Sequence, residues 1–178
     1  MYSDGARMRT FAYGSRISCT FDRSRASQFR VSSRVRGDRR AEGPWLSKRN
    51  GMYYMTYASM AHQNVWEHLS YATAPSPRGP WTYQGLLTGP TKNSYTIHAG
   101  VIDDFKGQSY LVYHTGELTL PDGQTGAGNR RSVTMEYLYY DADGRMWPVT
   151  QTEAGISTPS KPPAGKVPAP ADPGRSDT

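Results

Sequence analysis

The chain has 178 residues, a net charge of +6, and 36% hydrophobic and 12% aromatic residues, which is enough for one domain with a core. No apolar run approaches the roughly 18 residues that a membrane-spanning helix needs, so such a span is excluded. The arginine-rich start lacks the apolar stretch of a secretory signal, and a single cysteine, Cys19, excludes an internal disulfide.

The basic character belongs to one end. Residues 1–40 hold ten Arg and three Asp, a balance of +7, whereas residues 41–156 hold eight basic and ten acidic residues. The arginines follow no period of 2 or 3.6 and accompany no nucleic-acid motif, so this stretch is predicted to be a poorly ordered basic segment rather than a nucleic-acid arm. Only Gln28–Ser32 alternates, weakly, as a strand would.

From Ala41 to Ile156 the pattern is all-β. Asn50-Gly51 is a hairpin signal suited to the positive φ angles of a type I′ turn, and Met52–Tyr57 after it is a β-rich run. The pattern returns 56 residues later, Gly51 aligning with Gly107, Tyr54 with Tyr110 and Tyr57 with Tyr113. Two copies at such a spacing predict successive blades of a propeller. Further strands are predicted at Leu69–Thr73, Trp81–Leu87, Ala99–Ile102 and Val133–Tyr139, separated by turn signals at 75–80, 121–123 and 141–144. Asp103-Asp104 is read as a solvated turn, because neighbouring strand residues point to opposite faces. Residues 157–178 carry six prolines and no aromatic, and are predicted to form a disordered or extended tail.

Glu42-Gly43-Pro44-Trp45 opens the patterned region. A glutamate at such a bend can act as a general acid if burial or a second acid raises its pKa, and the motif alone does not require it. Read alone, His98 is a hydrogen-bonded structural histidine, and Arg131 is equally a surface partner for Glu136 or Asp122. His62, His68 and His114 belong to no recognisable motif.

The ordered set EGPW, KRNGMYYMTY, SYATAPSPRGPWTYQG, HAGVIDDFKGQSYLVYH and RRSVTMEYLYYDADG resembles the C-terminal blades of family 43 glycoside hydrolases. These are five-bladed β-propellers of the β-xylosidase and α-L-arabinofuranosidase kind. The resemblance implies a partial propeller of about two four-stranded blades over 41–156. It implies Glu42 as general acid, and His98 near the propeller axis, where the family's histidine often contacts a cation, usually calcium. Ile97 stands where the family has Asn. Arg131, beside Arg130, takes the place of the arginine that reaches sugar hydroxyls, a role that suits its planar fork of donors; Trp45 offers an aromatic platform. The family's export signal is not visible here, and its members occur outside as well as inside the cytoplasm.

The resemblance also implies what to expect upstream. The family's inverting mechanism needs an aspartate base in the first blade, its carboxyl roughly 6.5–9.5 Å from the acid, and a second aspartate that tunes the acid. Before Glu42 stand only Asp4, Asp22 and Asp38, and forty residues cannot build three blades of about 40–50 residues each. The expected function is therefore hydrolysis of glycosidic bonds in xylan- or arabinan-derived saccharides, represented by a truncated copy that is inactive or weakly active alone. The alternative is a carbohydrate-binding remnant without chemistry. A two-blade arc also leaves a blade face unpaired and predicts self-association through it.

Overall fold

In the computed structural model, residues 17–21, 29–33, 41–59, 66–117, 120–124 and 131–170 are described; His62, Arg130 and most of the basic segment lie outside them. The described residues form nine strands in chain order: β1 (Ile17–Phe21), β2 (Phe29–Ser33), β3 (Ala41–Arg49), β4 (Met52–Ser59), β5 (His68–Ala74), β6 (Thr82–Thr88), β7 (Ala99–Phe105), β8 (Gln108–Thr115) and β9 (Ser132–Leu138). None of the described residues forms a helix long and apolar enough to cross a membrane. The alternation at Gln28–Ser32 corresponds to β2, which pairs antiparallel with β1.

Strands β3–β6 form one antiparallel sheet in chain order and β7–β9 a second, with the first strands, β3 and β7, in contact. These are two successive propeller blades. The 56-residue repeat is a structural one. Asn50 and Gly51 turn with φ of 49° and 82°, Lys106 and Gly107 with 52° and 84°, so both β3–β4 and β7–β8 close on type I′ turns.

The burial pattern follows from the packing. On one face of the first sheet Tyr54, Ala58, Leu69, Tyr71 and Leu87 meet Ala99, Val101, Leu111, Tyr113 and Leu138 of the second. On its other face Met55, Tyr57, Ala72, Ala74 and Trp81 form a separate cluster. Strand β4 is therefore buried on both sides and shows no polar alternation, whereas β8 alternates because only one of its faces is covered. The opposite face of the second sheet leaves Ile102 and Val133 exposed.

Two expectations are corrected. Among the described residues the second sheet has three strands rather than four. After the Tyr140–Met146 bridge, the chain crosses to the first sheet, where the Val149 N–H donates to the Leu87 carbonyl at 2.7 Å and Gln151 reaches Thr88. Asp103 is not a solvated turn residue: it accepts hydrogen bonds from Arg49 of the first blade at 3.0 Å and from Ser109 at 2.8 Å. Arg49 also lies over the Tyr140 ring, so this pair pins the two blades together at the hairpin end.

From 158 to 170 the proline-rich segment forms neither strand nor helix, yet it is anchored to the fold. Val167 is buried; its N–H donates to Asp141 at 2.9 Å and its carbonyl accepts from Arg145 at 2.9 Å. The Asp141 carboxylate also takes the N–H groups of Asp143 and Arg145. One carboxylate thus holds both a turn and the strap that crosses it. Asp141→Ala is expected to free the strap, at about 1.5–3 kcal/mol for losing hydrogen bonds to a charged acceptor. Trypsin should then cut faster after Lys166, and equal cleavage of variant and parent would contradict the anchor.

Candidate active site

The up-and-down topology brings the start of β3, the end of β4, the start of β5 and the end of β6 to one edge of the first sheet, through the pairings Ala41–Ser59, Ser59–His68 and Leu69–Thr88. The corresponding edge of the second sheet carries Ala99, Tyr113 and Ser132. Glu42, Glu67, His98 and Arg131 all stand at these strand ends.

Glu42 lies in β3 just before a bulge that runs to Trp45. Within it Gly43 has φ +56°, and a Cβ added there would come within 2.7 Å of the His98 ring. That contact gives the Gly of the motif its physical reason: the imidazole lies directly over the backbone. His98 Nε2–H donates to Glu42 Oε1 at 2.9 Å, since a carboxylate can only accept. The two residues are 56 apart, so the repeat itself puts them at equivalent positions of neighbouring blades.

Glu67 is the third member. It is buried, and its Oε2 accepts the Ile97 N–H at 3.2 Å. Ligand atoms of Glu42, Glu67 and His98 all lie within 4.8 Å of one another. Behind them His114 Nδ1 accepts the His98 backbone N–H at 3.3 Å, which leaves the ring proton on Nε2, facing Thr96 Oγ1 at 3.1 Å. Burial, then the Arg131 charge, lowers the His114 pKa and keeps the ring neutral. Arg131 itself donates to Thr96 Oγ1 at 3.4 Å.

The two carboxyls are driven apart. The hydrogen bond from His98 holds Glu42 below the usual glutamate range, while burial pushes Glu67 above it. Of the two, Glu67 is the carboxyl that takes up a proton first as the pH falls, and Glu42 is the one that stays ionised longer. This departs from the raised carboxyl expected of a general acid, because His98 outweighs the effect of partial burial on a half-exposed side chain. Glu67 also cannot be the water-activating base of an inverting pair, which needs roughly 6.5–9.5 Å from the acid.

Calcium takes six to eight oxygen ligands, and the cluster offers two carboxylates and one imidazole nitrogen, of which the nitrogen is spent on Glu42 and one Glu67 oxygen on Ile97. These residues fit a directly bound calcium poorly.

The structure thus gathers Glu42, His98 and Arg131. Trp45 is exposed on the same inner strand, its ring over Gly100 of the second blade. Glu136 is no partner for Arg131: it is buried and accepts from Thr152 at 2.6 Å. His68 is buried against Ser59 at 2.8 Å. Glu67 and His114 were invisible to motif reading; the position of Glu67, one residue ahead of a strand start as His98 is, was the signal available.

The model of glycosyl hydrolases family 43 matches residues 20–147, beginning upstream of Ala41, and the chain belongs to this family. A xylosidase/arabinosidase from Bacteroides ovatus is 39% identical over 105 residues, 59% of this chain and 29% of the relative. Among solved structures, a family 43 arabinoxylan arabinofuranohydrolase from Bacillus subtilis in complex with cellotetraose shares 30% identity at a TM-score of 0.52, over 67% of this chain and 26% of that one. A GH43_1 enzyme from Xanthomonas citri complexed with xylotriose shares 36% at a TM-score of 0.50, over 62% and 30%. The chain spans about three tenths of the length of the curated relatives it matches.

Proposed function

We propose that this chain carries the acid side of an inverting glycosidase site for xylan- or arabinan-derived saccharides, with Glu42 delivering the proton to the departing glycosidic oxygen. The observation that carries the reading is the Glu42–His98–Glu67 cluster at the strand ends. Burial favours a proton on Glu67, and a sugar seated against Glu42 displaces water from the half-exposed carboxyl and so favours its protonated form. Arg131 and Trp45 give the sugar a fork of donors and an aromatic face. The bond to the leaving oxygen breaks as that oxygen takes the proton and water adds to the anomeric carbon from the opposite side.

The base that activates this water is not Glu67, and the proposal assigns it to none of the described residues. The chain alone is therefore expected to bind saccharides and turn them over poorly, since a positioned base contributes about 10²–10⁴-fold. Assays of aryl xyloside and aryl arabinofuranoside hydrolysis test this. Rates equal for the parent and Glu42→Gln support it; substantial turnover abolished by Glu42→Gln would show that the chain holds a complete site. Calcium enters none of these steps. The second reading, a binding module without chemistry, is favoured by the low pKa of Glu42, and retention of saccharide binding with no turnover in any larger assembly would select it.

A further inference from the structure

A cavity of about 430 Å³ lies beside β9, the edge strand of the second sheet, and its size falls within the range of small-molecule sites, about 300–1,000 Å³. Tyr137 and Tyr139 form one wall, the chain from Trp147 onward a second, and the strap as far as Pro163 the third. It is not the Glu42 cluster. Glu136, which lines it, stands four residues along β9 from Ser132, roughly 13 Å at the rise of a strand.

Hydrogen bonds hold the walls in place. The Trp147 N–H donates to the Tyr139 carbonyl at 2.9 Å, and the Tyr137 hydroxyl donates to the Ile156 carbonyl at 3.2 Å. The Thr152 N–H and hydroxyl donate to Glu136 Oε1 at 2.6 and 2.9 Å, and the Tyr113 hydroxyl donates to the same oxygen at 3.5 Å. All of this falls on one oxygen. Glu136 Oε2 has no donor among the described residues, although the residue is only 5% exposed, and it is not sealed in the core. It therefore faces the accessible space that Glu136 lines. A carboxylate oxygen withdrawn from bulk water in this way costs free energy until something donates to it.

The rest of the lining decides what that ligand is. A cation would suit the carboxylate and the aromatic rings, but Lys161 stands at the exposed rim and opposes it. An anion would suit Lys161 and be repelled by Glu136. A neutral ligand with adjacent hydroxyls can donate to Glu136, accept from Lys161, and lay its C–H face on Trp147 or Tyr139. We propose that this cavity is a second saccharide site, which holds a neutral sugar through Glu136 and Lys161 at a distance from the Glu42 cluster. It does not depend on Glu42 acting as an acid.

The test follows the Trp147 indole N–H signal of the full chain during titration with xylotriose. The sugar should move this signal, and Glu42→Gln should leave the midpoint of the movement unchanged. Glu136→Gln keeps an acceptor for Thr152 but removes the charge, and should raise the midpoint about tenfold, the scale of one charged hydrogen bond. Lys161→Met, at an exposed position that folding does not need, should raise it as well. A signal that does not move, or that moves with the parent's midpoint in either variant, overturns the site. So does a midpoint raised by Glu42→Gln, which would mean that the shift is relayed from the acidic cluster. Tetramethylammonium, titrated alone, should leave the signal in place; if it binds there more tightly than xylotriose, the cavity is a cation site and the saccharide reading is lost.

Discussion

A Leu111→Ala chain is expected to be about 2–5 kcal/mol less stable than the parent, the usual range for removing a fully buried leucine side chain. Leu111 is 0% exposed, in the middle of β8, where the second blade's covered face meets the first. It belongs to the cluster that holds Tyr71 and Leu87 on one blade and Leu138 on the other. A domain of this size has only about 5–15 kcal/mol in total, so the variant should melt much earlier or fail to fold. Val133→Ala is the control. Its side chain is 79% exposed on the uncovered face, and such a change should stay within about 0.5 kcal/mol. Urea midpoints of the two variants decide the matter, and a loss below about 1 kcal/mol for Leu111→Ala would mean that the blades are not packed on each other.

What was legible in the sequence was local and periodic. Asn50-Gly51 announced a type I′ turn because two successive positive φ angles demand such residues, and the 56-residue echo then placed Lys106-Gly107 in the same role even though Lys is an unusual first member. Strands β4 to β9 followed from runs between turns. The pairing of Glu42 with His98 was implicit in the same echo. The third carboxyl was not legible, because Trp66-Glu67-His68 has no signature and what makes Glu67 part of the site is burial against Ile97, a long-range contact. His114 was passed over for the same reason: its role is to hold the backbone of His98 from the neighbouring strand. Composition does not reveal the anchor of the strap, since a count of prolines sums over the segment whereas the anchor is one N–H on Asp141. That the described residues give the second sheet three strands is likewise a matter of where the chain crosses after Trp147, which no pattern of hydrophobicity records.

Gly43→Ala is expected to dismantle the site while leaving the two sheets in place. The backbone at Gly43 is left-handed, which costs an alanine about 1–2 kcal/mol, and the new Cβ would stand 2.7–2.8 Å from the His98 ring carbons. The imidazole must move, and with it goes the 2.9 Å hydrogen bond that holds Glu42 as a carboxylate. The Glu42 midpoint should then rise from below its ordinary value, since partial burial and the remaining neighbours no longer face the His98 donor. The sign for stability follows. A depressed carboxyl contributes stability above its unfolded value and loses it as the pH falls through the folded one; in Gly43→Ala this part of the acid-side loss should disappear. Glu67 acts in the opposite sense: raised by burial, it contributes stability below its unfolded value and loses it as the pH rises. Carboxyl carbon shifts of Glu42 and Glu67 against pH, in the parent, Gly43→Ala and His98→Ala, test the assignment. A Glu42 midpoint that stays low in both variants would mean that something other than His98 ionises it. A midpoint that rises in both would show that the glycine of Glu42-Gly43-Pro44 exists to let a neighbouring blade set the charge of the residue before it.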